Sequence, residues 1–189
     1  MQKNMSVISS IERGNIKIEV LQYENLDGGD NVSVAQQLFF AQQVGIRLKQ
    51  VKITLNNSSV ILEAGAMHFM KGHIEMDNKM GGVGGLARKL ASSVLTKETA
   101  FKPKYSGTGE IYLEPSFAHY AIMELDNEEV IVDKGLFHCC EPSVEVGVAA
   151  QTNISSAVLG GEGLFQTKLK GSGICVLTIP VPENELIKY

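Results

Sequence analysis

The sequence predicts a mainly β protein: duplicated antiparallel β-units forming a stacked-sheet sandwich or barrel, with one short helix near the N-terminus. Three observations predict it. Nineteen glycines, five prolines and no tryptophan suit a chain of many tight turns. Short β-branched runs bounded by turn residues recur along the chain, and a long part of it repeats itself.

The repeat is gapless in two blocks. ITLNNSSVILEAGAMHFMKGHIEM, from Ile53, aligns with MELDNEEVIVDKGLFHCCEPSVEV, from Met123, at an offset of 70. Leu55/Leu125, Asn57/Asn127, Gly65/Gly135, His68/His138 and Glu75/Glu145 are identical, and Glu63/Asp133 and Ile74/Val144 are conservative. SSVLTKETAFKPKYSGTGEIYL, from Ser92, aligns with SAVLGGEGLFQTKLKGSGICVL, from Ser156, at an offset of 64. Here Glu98/Glu162, Phe101/Phe165, Gly107/Gly171 and Gly109/Gly173 are identical. The units therefore run over 51–115 and 121–180 of a β-domain at 51–180. Residues 1–50 form an N-terminal strand and helix extension packed on it, and 181–189 a C-terminal tail.

In chain order, NVSVAQQLFFAQQVG reads as the helix. Val34, Leu38, Phe39 and Ala41 suit it, Asn31 or Ser33 caps it, and Gly45 stops it. VKITL, VILEA, EIYLE, AIMEL, EVIVD and ICVLTI read as strands. LNNSSV and LDNEEV then fall at hairpin turns, where Asn and Asp supply the turn conformation. The G-x-G pairs mark tight turns or bulges with no room for a side chain. ICVLTIPVP is apolar on both faces until Pro180, so both faces must be covered, most economically by a neighbouring subunit.

KMGGVGGLARKLAS, from Lys79, places Gly82, Gly84 and Ala87 at dinucleotide-binding spacing. That fingerprint must leave a parallel strand and enter a βαβ helix. This segment instead joins two halves of a β-repeat, and its counterpart GVAAQTNIS lacks the spacing. No Gly-Lys-Ser/Thr follows, so the phosphate cradle is rejected. Residues 78–91, holding the six-residue excess of the first unit, read as an exposed connection; 86–97 offer at most a weak membrane-surface contact. A net charge of −4 argues against nucleic acid as a partner. No apolar run reaches the roughly 18 residues of a spanning helix, and no secretory leader is visible. Adjacent Cys139 and Cys140 read as reduced space-fillers, and the expected location is cytoplasmic.

Catalytic chemistry finds little support. His68, His73 and His138 are the candidate metal ligands of a cupin-like metal-dependent enzyme, yet the paired His-x-His of cupins is missing. Glu63/Asp133 and Glu98/Glu162 could do acid–base work, but they read more simply as turn-capping acids. Phe101 and Phe165 read as core anchors. No catalytic residue and no cofactor is assigned. Gly65, Gly107, Gly109, Gly135, Gly171 and Gly173 are structural positions.

EAGAMHFMKGHIEMDNKMGG, GLARKLASSVLTKETAFKPKYSGTGEIYLEP, VDKGLFHCCEPSVEV and LGGEGLFQTKLKGSG together resemble the altered-inheritance-of-mitochondria family. The shared motifs are E-x-G-x-M, the Gly-rich stretch ending L-x-R, E-x-x-F and G-x-G, over about residues 50–180. The resemblance implies a fold like that of the tryptophan RNA-binding attenuation protein, often trimeric, with no established catalytic residues. Mitochondrial relatives are linked to inner-membrane organisation. Longer relatives carry a third β-unit, which would make this chain a shortened form. RNA binding does not carry over, because it needs a basic, aromatic-lined rim. The reading is a non-catalytic β-rich scaffold or binding module, membrane-associated or partner-organising, cytoplasmic and homo-oligomeric, with a trimer favoured over a dimer. The alternative is the cupin-like enzyme.

Overall fold

A computed structural model describes residues 4–77, 102–150 and 165–186. Strands β1 (Met5–Arg13) and β2 (Ile16–Tyr23) form a hairpin around Gly14, whose φ of 56° suits a residue without a side chain. Helix α1 (Val32–Gln43) follows. The first repeat unit comprises β3 (Lys49–Leu62), β4 (Met67–Met76) and β5 (Lys104–Leu113). The second comprises β6 (His119–Val132), β7 (Phe137–Cys140), β8 (Val144–Ala150) and β9 (Phe165–Ile179). A 3-10 turn spans Glu183–Glu185.

Every ladder is antiparallel. The main path is β1-β2-β3-β7-β9-β6; β5 also pairs β3, β4 pairs β5, and β8 pairs β9. The mainly β architecture with one helix near the N-terminus holds. The nine strands form one sheet that does not close into a barrel. At the seam β1 and β6 meet through side chains, Arg13 Nε lying 3.3 Å from Glu124, and Arg13 Nη1 also lies 2.9 Å from Glu141, just after β7. The N-terminal residues contribute two strands to the sheet itself, since β2 pairs β3 from Ile16↔Leu55 to Gln22↔Lys49.

The repeat is preserved to the residue. In the first unit Leu55 pairs Gly109 and Ser58 pairs Gly107; in the second Leu125 pairs Gly173 and Glu128 pairs Gly171. Two residues thus oppose one in each ladder, which is a β-bulge. The expected hairpins at LNNSSV and LDNEEV are corrected accordingly: each lies inside one 14-residue strand. Asn57 (φ 51°) and Asn127 (φ 55°) take the left-handed conformation there, which Asn tolerates better than most residues. Their amides donate to Thr108 Oγ1 at 2.9 Å and Ser172 Oγ at 2.8 Å, which are again repeat equivalents. The facing glycines admit close backbone. A Cβ at Gly107 would lie 2.0 Å from the carbonyl oxygen of His73, and one at Gly171 would lie 2.4 Å from that of Ser143.

Each unit has its own core. The first gathers Val51, Ile53, Leu55, Leu62, Ile111 and Leu113, joined by Ile16, Ile18 and Val20 of β2. The second gathers the equivalent Ala121, Leu125, Val132, Cys175 and Leu177 around Phe137. Full burial of each large aliphatic chain stabilises by about 2 kcal/mol. The units stack because Tyr120, Cys139, Ile174 and Val176 turn from their own core into that of the first unit. The run ICVLTI is therefore covered on both faces by its own chain, which corrects the expectation of a neighbouring subunit as its cover. Cys139, Cys140 and Cys175 are free and buried, and burial pushes the Cys140 and Cys175 thiols up to about 13 and about 11.

Candidate functional site

The cap Asn31 accepts from the amide of Val34 at 3.0 Å, and Gly45 (φ 81°) ends α1. The segment after it carries Arg47 and Lys49 onto the start of β3, where Lys49 is pinned by two backbone bonds to Ser116. This brings both cations to an open cleft of about 760 Å3. It lies at the unclosed seam: Ile8 and Ser9 come from β1, His119 and Tyr120 from β6, and Glu183 and Leu186 from the C-terminal segment.

Charge in this cleft is unbalanced. Lys49 is 6% exposed, and among the described residues its ammonium donates only to the carbonyl of Arg47, at 3.2 Å. Burial lowers its pKa, with no carboxylate acting to raise it. Arg47 donates to the carbonyls of Ile46 at 3.2 Å and Gln42 at 3.4 Å, and neither is acidic. Burial, and then the charge of Lys49, hold His119 below its ordinary range, against a weaker opposing pull from Glu185. Tyr120 shares a 2.9 Å hydroxyl bond with Ser116, and burial raises its pKa.

The residues singled out from sequence are not brought together. His68 Nδ1 lies 3.4 Å from Gln50 Nε2, and His73 is exposed opposite Thr108. His138 packs on Tyr120 at 4.9 Å between centroids, and its buried Nε2 finds no hydrogen-bond partner among the described residues. Burial pushes its pKa down to about 4. Among the described residues no three His, Cys, Asp or Glu side chains are arranged to hold a metal ion, so the cupin-like arrangement is not formed there.

Glu63 and Asp133 each accept from the next residue's amide, Ala64 at 3.2 Å and Lys134 at 2.7 Å, beside Gly65 and Gly135. Glu63 also pairs Lys102. Gly107, Gly109, Gly171 and Gly173 form the bulge contacts already described. Glu98, Phe101, Glu162, residues 78–91 and the 86–97 segment lie outside the described residues, and Phe165 is placed only as the start of β9.

Two features escaped sequence reasoning. One is the cleft, whose residues come from five segments of the chain. The other is the outer face of the first unit, where Lys52 lies 2.8 Å from Glu110 and 3.6 Å from Glu19, and Lys71 lies 2.6 Å from Glu110. Hydrogen bonds from Lys52 and then Lys71 pull the Glu110 carboxyl down to about 2. Phe69 stacks on Tyr112 alongside, with centroids 4.5 Å apart. The alternation of KITL and EIYL across two paired strands was the only available signal for this network.

Two similar antiparallel units in a single unclosed sheet, without a converged catalytic set among the described residues, define a protein of the mainly β class. The profile of the family described as Mitochondrial biogenesis AIM24 matches residues 41–186, and the chain belongs to that family. Among curated proteins none matches. The crystal structure of a Streptococcus pyogenes protein is similar in fold, with a TM-score of 0.52 and 21% identity. The match covers 72% of this chain and 61% of that one, so the chain spans less than two thirds of the neighbour's length. These likenesses concern the family and the all-β fold; they add nothing on a likeness to the attenuation protein. No helix among the described residues is long and apolar enough to cross a membrane.

Proposed function

We propose that the chain is a non-catalytic β-scaffold that works by association, and that its first partner is another copy of itself. Helix α1 carries the reading. None of its residues is buried, and it presents Phe39 and Phe40 edge-to-face at 59% and 57% exposure, with Val32, Val44 and Ile46 also exposed. Exposed apolar groupings of this kind mark contact surfaces. The adjacent end of the sheet adds to it: among the described residues β1 pairs only β2, and Val7 and Ile8 on it are exposed. An edge strand offers its outer N–H and C=O groups to a second chain. The family resemblance favours a trimer.

Light scattering at micromolar concentration tests this. The expected mass is a multiple of 20.5 kDa, falling to a monomer in the double variant Phe39→Ser/Phe40→Ser or in Val7→Lys. A wild-type monomer at all concentrations defeats it.

A further inference from the structure

The cleft at the seam goes beyond association. Its lining combines the cations Arg47 and Lys49 and the ring of His119 with the apolar Ile8, Val20 and Leu186, and it also includes Glu183. We propose that it binds a small organic anion, with the acid group on Lys49 and Arg47 and an apolar body against Ile8, Val20 and Leu186.

The argument starts from Lys49. An ammonium carries three donors, and a buried charge costs free energy unless it is paired. The protein fills one of those donors, with a carbonyl at 3.2 Å. Neither Lys49 nor Arg47 forms an ion pair among the described residues, whereas Lys17, Lys52, Lys71, Lys102, Lys168 and Lys170 all do. Glu183 shares the cleft, yet it forms no salt bridge with Lys49. A carboxylate or phosphate ester would supply the counter-charge and accept from the guanidinium, in charge-assisted bonds stronger than neutral ones. The volume of about 760 Å3 suits a ligand of small-molecule size. The apolar wall distinguishes this site from one for a bare inorganic ion.

Calorimetric titration of the full chain with octanoate, octyl phosphate and octanol tests it. Both anions, or one of them, should bind, with octanol weaker by roughly tenfold or more. The tighter anion identifies the acid group. Lys49→Met should weaken the anion by a similar factor and leave octanol unchanged; Arg47→Gln is the second variant if the first fails to fold. Octanol binding as tightly as octanoate, neither anion binding at millimolar concentration, or affinity untouched by the folded variants would each overturn the proposal.

Discussion

The two repeat units share their inner faces and differ on their outer ones. Inside, position answers position: Leu55 and Leu125, Ile74 and Val144, Ile111 and Cys175 are buried alike. Outside, the second unit shows Tyr120, Ile122, Cys139, Ile174 and Val176, while the first shows Gln50, Lys52, Phe69, Glu110 and Tyr112 at the same places. The apolar set packs into the neighbouring core. The polar set, at most half-exposed, ties itself together with ion pairs and a stacked aromatic pair. Glycines, bulges and inner residues thus define the unit, and a few outer side chains decide which copy is covered. The two units share an architecture, and the difference on one face accompanies the stacking.

Exchanging outer residues strikes hardest at this comparison. Ile174→Glu puts the first unit's Glu110 into a fully buried site without its lysines. We expect a loss of about 4 kcal/mol in urea denaturation. The reverse change, Glu110→Ile, should cost about 1 kcal/mol, because its ion pairs are partly solvated. Equal costs would show that the outer faces do not assign the units.

The shared glycines come next. Gly107→Ala and Gly171→Ala each force a Cβ onto a carbonyl oxygen at positive φ. Each should lose about 3 kcal/mol. Gly65→Ala, at a φ of 80° with open space around it, should lose about 1 kcal/mol in the same assay. A bulge variant no worse than Gly65→Ala would mean that the strands can separate there at little cost.

His138 gives the smallest and most selective effect. With a folded pKa of about 4 against 6.5 unfolded, the unfolded chain binds the extra proton between those values. Stability is therefore full above about pH 6.5 and falls as pH drops towards 4, by about 3 kcal/mol at most. His138→Phe, which keeps an aromatic ring beside Tyr120, should flatten that slope in thermal scans from pH 4 to 7. A slope unchanged in this variant would place its origin in other groups.

Legibility from sequence followed the range of the interactions. Helix α1 was readable because its signals are local: the Asn31 cap and the Gly45 stop lie within one turn of its ends. Its exposure was not readable, since an apolar pattern does not name the element it faces. Asn57 and Asn127 carried a true signal for left-handed backbone that turns and bulges share. Only the partner strand, with Gly107 opposite, separates the two cases. The repeat reappears in the register, because equivalent residues meet equivalent neighbours. The cleft was invisible because Ile8, Lys49, His119 and Leu186 are brought together by the path of the sheet.

The three thiols all belong to the second unit, and they sit on its two sides. Cys139 points into the core shared with the first unit, whereas Cys140 and Cys175 lie in the second unit's own core and face each other in register. Only the thiolate reacts with alkylating reagents, and burial holds all three in the thiol form. Each cysteine therefore works as a separate clock for a separate opening. Modification of Cys139 ahead of the other two would time the parting of the stacked units, and simultaneous modification of all three would time the melting of the second unit as a whole.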